Sequence, residues 1–150
     1  MSTKGKMVLN TNNEQITKFV NYVMKDGKKT LALKLLSKAF AIMKDRGQKK
    51  PEDTFNRAIS NVMPKIEVRP KRVWGSIYQV PQEVKPKRQF ALAARWILAA
   101  VRAKKWTDFS SFLAEELIAA SGETGSAIKK KLDVYKMAEA NRAFARFATR

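Results

Sequence analysis

Apolar residues recur at helical spacing through most of this chain, and one stretch breaks the rhythm. Ile16, Phe19, Val20 and Val23 share one helical face, and Asp26-Gly27 suits the left-handed turn that ends such a helix. Thr30 is placed to cap a second helix whose apolar members include Leu31, Leu35, Ala39 and Ile42, stopping near Gly47. Pro51, Glu52 and Asp53 make an acidic start for a third, followed by Phe55, Ile59 and Val62 and ended by Pro64. After Pro86 a long helix carries Phe90, Ala94, Ile97, Leu98 and Val101 and closes with Arg102, Lys104 and Lys105. Thr107 and Asp108 suit the start of a fifth, with Phe109, Phe112, Leu113 and Leu117, ending at Ser121-Gly122. A sixth begins near Ser126 and runs through Ile128, Leu132, Tyr135, Ala138 and Phe144.

The break lies at residues 65 to 88, KIEVRPKRVWGSIYQVPQEVKPKR, where apolar and polar residues alternate on both sides of Gly75-Ser76. Alternation of period two around a tight turn predicts a β-hairpin over about 65–85. Pro70, Pro81 and Pro86 each lack the N–H that a central strand needs, so the ribbon is expected to stand apart from any larger sheet. The predicted fold is mainly α: about six helices and a protruding two-stranded hairpin in one domain, 1–150, after a short flexible N-terminus of about 11 residues.

Charge sharpens this picture. Lys and Arg total 31 against 13 Asp and Glu, a net charge of +18, which points to a polyanion as partner. The hydrophobic fraction of 45% is too high for a disordered basic tail. No apolar run is long enough to cross a bilayer, and the polar N-terminus reads neither as a signal peptide nor as an Arg-rich transit segment. Cys and His are both absent, which excludes disulfides, a structural zinc site and His-based catalysis. There is no glycine-rich phosphate loop and no nucleophile–base pair, and adjacent Glu115 and Glu116 point to different sides of a helix. The chain therefore reads as no enzyme, with no cofactor, no metal, no membrane and no small-molecule substrate.

Cations crowd three helix starts, where the helix dipole disfavours them: Lys28 and Lys29 at the second, Lys85, Lys87 and Arg88 at the fourth, and Lys129, Lys130 and Lys131 at the sixth. A phosphate at each end would reverse the sign, so the three together predict an anion-binding surface. From Trp106 to Ile128 there is no Lys or Arg but there are Asp108, Glu115, Glu116 and Glu123, so that helix is expected to face solvent or a basic partner. Trp74 falls at the hairpin tip, suited to stack on a base or fill a partner's pocket; Tyr78 more readily packs at the ribbon base. Trp96 suits the core, and Arg95 is either a surface charge or a phosphate contact. A DNA-binding architectural protein and an RNA-modifying enzyme stand as rival readings.

Specific strings then add a resemblance. DGKK at Asp26 to Lys29, RVWGSIYQVPQEV at Arg72 to Val84, ALAARWI at Ala91 to Ile97 and MAEANRAFA at Met137 to Ala145 resemble the small-subunit ribosomal protein seven family of bacterial and organellar type. With the matching order of helices and hairpin, the resemblance covers nearly the whole chain. It implies a structural constituent of the small ribosomal subunit that binds the 3′ major domain of the rRNA and nucleates head assembly. It also implies that the hairpin lies near exit-site tRNA and the mRNA exit path, with other small-subunit proteins as neighbours. The residues expected at rRNA are Lys28, Lys29, Arg69, Lys71, Arg72, Lys85, Lys87, Arg88, Arg95, Lys129, Lys130, Lys131 and Arg142; Trp74, Gly75, Ser76 and Tyr78 form the hairpin end expected near tRNA or mRNA. Three positions depart from the family's pattern. Only Lys4 and Lys6 stand where an Arg-rich arm is usual, Trp74 replaces the first of two glycines at the turn, and Tyr135 replaces a His. These departures suggest a mitochondrial rather than a bacterial ribosome.

Overall fold

A computed structural model describes residues 9–10, 12–104 and 108–148, so the Lys4 and Lys6 region and the Lys105 to Thr107 segment lie outside the described residues. In chain order the helices are Glu14–Val23 (α1), Lys29–Asp45 (α2) and Pro51–Val62 (α3), then strands Ile66–Val73 (β1) and Ser76–Glu83 (β2), then Pro86–Ala103 (α4), Phe109–Ser121 (α5) and Ser126–Ala140 (α6). A 3-10 helix, Arg142–Phe147, follows. The strands pair only with each other, antiparallel, among the described residues. The mainly helical reading with an isolated hairpin is borne out.

One apolar cluster draws on all six helices. Ile16, Phe19, Leu36, Met43, Phe55, Ile59, Ile97, Leu113 and Leu117 are wholly buried or nearly so. Phe55 is its aromatic centre: Phe19 meets it edge-on with ring centroids 5.2 Å apart, and the Phe40 centroid lies 5.7 Å away. Local signals set several boundaries, those at Pro51 and Asp108 as expected and the one at Asn13 found only in the structure. Asn13 caps α1 through its side-chain oxygen, Pro51 opens α3, and Asp108 caps α5 by accepting from the Ser111 amide.

Four expectations are corrected. The core stripe of α2 is Ala32, Leu36, Ala39, Phe40 and Met43, while Leu31 is half exposed. The apolar arc of α2 is wider than the buried stripe, running from Leu31 round to Leu33 opposite a polar face of Lys34, Ser37 and Lys38, so two adjacent stripes fit the periodicity and packing against α5, α1 and α3 selects between them. Thr30 does not cap α2; Asp26 and Gly27 both turn left-handed (φ 54° and 71°), the helix begins earlier, and Lys28 sits at its cap without a side-chain bond. The ribbon turn is Trp74–Gly75, because Val73 pairs with Ser76. Finally, α6 stops at Ala140, where the Asn141 side chain donates to the Met137 carbonyl and the chain tightens into the 3-10 helix.

That last change has a packing reason. In a 3-10 helix residues three apart eclipse one another. Phe144 and Phe147 therefore stand side by side, their planes 15° apart, and both meet Tyr78 of β2 with centroids 5.0 and 5.3 Å away. Lys71 of β1 donates to the Phe147 carbonyl. The inner half of the ribbon is thus anchored, and Val80 is fully buried. Its outer end projects: Trp74 is 98% exposed and Ile77 71%.

Candidate nucleic-acid interface

The ribbon, α4 and α6 converge at the base of the hairpin. Opposed residues of an antiparallel pair point to one face, so Glu67, Arg69, Lys71, Tyr78 and Val80 share the packed face, and Ile66, Pro70, Arg72, Ile77 and Gln79 share the outward one. Glu67 is nearly buried there and pairs with Arg88 of α4 at 2.7 Å and with Arg69 at 3.6 Å. Its carboxylate raises the Arg88 pKa further above the ordinary guanidinium value, chiefly through the hydrogen bond. The backbone amide of Lys65 donates to the Tyr135 hydroxyl at 2.8 Å, tying α6 to the strand entrance.

Along α4 the cations form a row. Lys85, Lys87 and Arg88 lie at its start, Arg95 is exposed one heptad beyond Arg88, and Arg102 lies a heptad further. Eighteen helical residues place the two ends about 27 Å apart. Arg102 donates to the Tyr22 and Val23 carbonyls at the end of α1. It thereby brings the α1–α2 corner, with Lys25 and Lys28, to the far end of α4; these residues and Arg102 line one groove. A second groove, about 690 Å³, runs between α1 and the start of α4 and is lined by Lys18, Tyr22, Lys87 and Phe90 among others.

The three crowded helix starts are not equivalent. At α2 and α4 no side chain caps the free amides, and Lys28, Lys29, Lys85 and Lys87 form no ion pair among the described residues. At α6 the anion is internal: Glu116 of α5 accepts from the Ala127 amide at 2.9 Å. Lys131 is also engaged, donating to the Asn61 carbonyl at the end of α3 (2.8 Å) and lying over the Tyr135 ring. The C-terminal carbonyls of α3 and α5 gather at this corner, since Asn61 itself donates to the Ala120 and Ser121 carbonyls. A cation beside helix C-termini and a carboxylate at a helix N-terminus are both favourable. So the α6 start supplies exposed Lys129 and Lys130 for a polyanion, but its Ala127 amide is already taken by an internal carboxylate.

The structure therefore gathers Arg69, Lys71, Lys85, Lys87 and Arg88 at the ribbon base and sets Arg95 on the same helix. It holds Lys28 and Lys29 at the other end of α4, and Lys129 and Lys130 apart at the α6 start. Arg142 is exposed and paired with Glu139. At the ribbon end, Trp74, Gly75 and Ser76 are exposed while Tyr78 packs inward, and Trp96 packs against the core. The acidic helix meets solvent only in part: Asp108, Glu115 and Glu123 are exposed as expected, and Glu116 is not. α5 lies against α2, α3, α4 and α6, with Glu116 buried and Glu115 paired with Lys104. Glu116 as an internal ligand had a sequence signal: it falls on the apolar face formed by Leu113, Leu117 and Ala120. Glu67 had a weaker one, an acid in a ribbon otherwise dominated by cations. Among the described residues no helix is long and apolar enough to cross a membrane, and no cluster of acids is placed to hold a metal.

Comparison with known proteins agrees with the fold. Residues 3–142 match the family described as ribosomal protein S7p/S5e, and the chain belongs to that family. The relative named small ribosomal subunit protein uS7 from Thermotoga maritima is 52% identical over 88% of this chain and 85% of its own length. The proteins of that name from Thermosipho melanesiensis and Lactobacillus delbrueckii subsp. bulgaricus are 51% and 48% identical, each over 91% of this chain and over 88% and 87% of their own lengths. Membership places the chain with ribosomal proteins and not with enzymes. These relatives are bacterial and give no support to the mitochondrial expectation.

Proposed function

We propose that this member of the S7p/S5e family is a structural constituent of the small ribosomal subunit that binds the 3′ major domain of the rRNA and nucleates head assembly. Its ribbon end reaches toward exit-site tRNA and the mRNA exit path, and neighbouring small-subunit proteins complete its contacts. It acts as one domain. The observation that carries the RNA reading is the row of cations from the ribbon base along α4, where Lys85, Lys87 and Arg95 are exposed and lack acidic partners among the described residues. The proposed rRNA contacts are that row with Arg88, the ribbon cations Arg69, Lys71 and Arg72, the α2 start at Lys28 and Lys29, and Lys129, Lys130 and Arg142. Lys131 serves mainly the α3–α6 corner.

The mechanism is electrostatic positioning by an apolar, rigid scaffold. Phosphate contacts release counterions and fix orientation, and the amides at the α2 and α4 starts, which no side chain caps, add donors beside the cations there. Arg88 is held by Glu67, so its guanidinium is aimed before RNA arrives and less side-chain freedom is lost on binding.

The test is binding to a fragment of the 3′ major domain across a salt series, with duplex DNA as competitor. Affinity for the fragment is expected to fall by roughly three to five decades between 50 and 200 mM salt if six to ten phosphates of a duplex-like site are neutralised. DNA is expected to compete weakly. A flat salt response, or equal competition by DNA, would refute the reading.

A further inference from the structure

We propose that Trp74 is a stacking platform for an unpaired nucleobase, with the Arg72 guanidinium holding the adjoining phosphate; this deepens the RNA-binding reading of the ribbon and rests on it. The motive is that Trp74 is disfavoured twice where it stands. It occupies the first loop position of a two-residue turn at φ 54°, with Gly75 following at φ 82°. That turn requires left-handed backbone at both positions and favours Asn or Gly at the first. Trp74 also has 98% of its surface in solvent, so the largest apolar side chain in the chain meets no packing partner there. Neither the backbone nor the core gains from it.

The surroundings select the occupant. Between Glu67 and Glu83 the chain has no acid, but it has Arg69, Lys71 and Arg72. Lys71 and Arg69 turn to the packed face, where they meet the Phe147 carbonyl and Glu67. Arg72 is exposed, makes no ion pair among the described residues and lies on the outward face opposite Ile77. The tip therefore offers one indole with both faces open, one free guanidinium and one aliphatic side chain. A protein pocket is the poorer fit: the exposed apolar surface at the tip is only Trp74 and Ile77, far below the roughly 800 Å² per partner of a stable protein interface. A flipped or single-stranded base needs just one ring face, and the adjoining phosphate needs one cation.

The experiment uses the full chain and two RNA probes of equal length and charge: a twelve-nucleotide oligoadenylate and an abasic oligomer with the same phosphates. Trp74→Gly is expected to weaken oligoadenylate binding about tenfold, within the range of one lost stack, and to leave the abasic oligomer unchanged. Trp74→Phe should retain most of the affinity, and Arg72→Gln should weaken both probes alike. Trp74→Gly should also melt at a higher temperature, since glycine accepts the left-handed backbone. In a Trp96→Phe/Trp106→Phe background Trp74 is the only indole, and its fluorescence should be quenched by oligoadenylate but not by the abasic oligomer. Equal affinity of Trp74→Gly and the parent for oligoadenylate, without quenching, would overturn the stacking role. So would loss of affinity in Trp74→Gly equal on both probes. If the parent binds neither oligomer, the RNA reading of the ribbon falls as well. If Trp74→Gly binds both oligomers normally yet is lost from assembled small subunits, the indole fills a protein pocket and stacking is refuted.

Discussion

Glu116 and Ala127 are joined across the corner between α5 and α6: the buried Glu116 carboxylate, 4% exposed, accepts from the Ala127 amide at 2.9 Å. The bond places a negative charge at the positive end of α6, beside three lysines, and satisfies one of the four amides that every helix start leaves free. Glu116→Ala is expected to lower stability by about 1–2 kcal/mol, the scale of a lost N-terminal cap. Glu116→Gln, which keeps an acceptor but loses the charge, should lose less. Thermal melts of the three proteins check this, and equal melting temperatures would show that the carboxylate does not hold the corner.

The same corner is tight for a side chain at Gly125. A Cβ there would sit 3.0 Å from Glu116 Oε1 and 3.1 Å from the Ala119 Cβ, on a backbone at φ 94°. Gly125→Ala should destabilise by about 1–3 kcal/mol. Gly122→Ala is the control: its φ is −96° and the nearest atom to a new Cβ is 3.6 Å away, so its melting temperature should barely move.

The lysines at the start of α6 should separate by function. Lys129→Gln with Lys130→Gln is expected to leave melting unchanged and to reduce the salt slope of rRNA binding by about two charges. Lys131→Gln removes the donor to the Asn61 carbonyl and the cation over Tyr135, so it should lower stability by about 0.5–1.5 kcal/mol. If all three behave alike in both assays, the distinction drawn from their contacts is wrong.

The ribbon should divide into an anchored half and a free half. Deleting Val73 to Ile77 and closing the strands with a short turn removes exposed or half-exposed residues, so the melting temperature should stay close to that of the parent. Val80→Ala, at a fully buried position, should cost about 1–3 kcal/mol. Phe144→Ala removes a ring from the Tyr78 cluster and should release the 3-10 helix from the ribbon, which faster amide exchange at Tyr78 and Phe147 would report. A tip deletion that unfolds the protein would place the turn within the core.

Sequence alone determined the elements and their order. Period and punctuation are local: Pro51, Asp108 and Gly122 mark helix ends, and Pro70 and Pro81 keep the ribbon out of a larger sheet. The buried stripes of α1, α3 and α4 were legible because each helix has one apolar face. On α2 the apolar arc is wider than the face the core can take, so only packing against the neighbouring helices, α5 above all, could show that Leu36 and Met43 are inside and Leu31 is not. Tertiary structure also decided which charges are free. The 31 cations and 13 acids look alike along the chain, but Lys131 finds a carbonyl at the end of α3, Arg88 finds Glu67, and Glu116 finds an amide eleven residues on, whereas Lys87, Arg72 and Arg95 find no acid among the described residues. Helix geometry sets which residues share a face within one element; whether a charge is neutralised depends on which second element is brought within about 3 Å of it, and only the assembled fold specifies that.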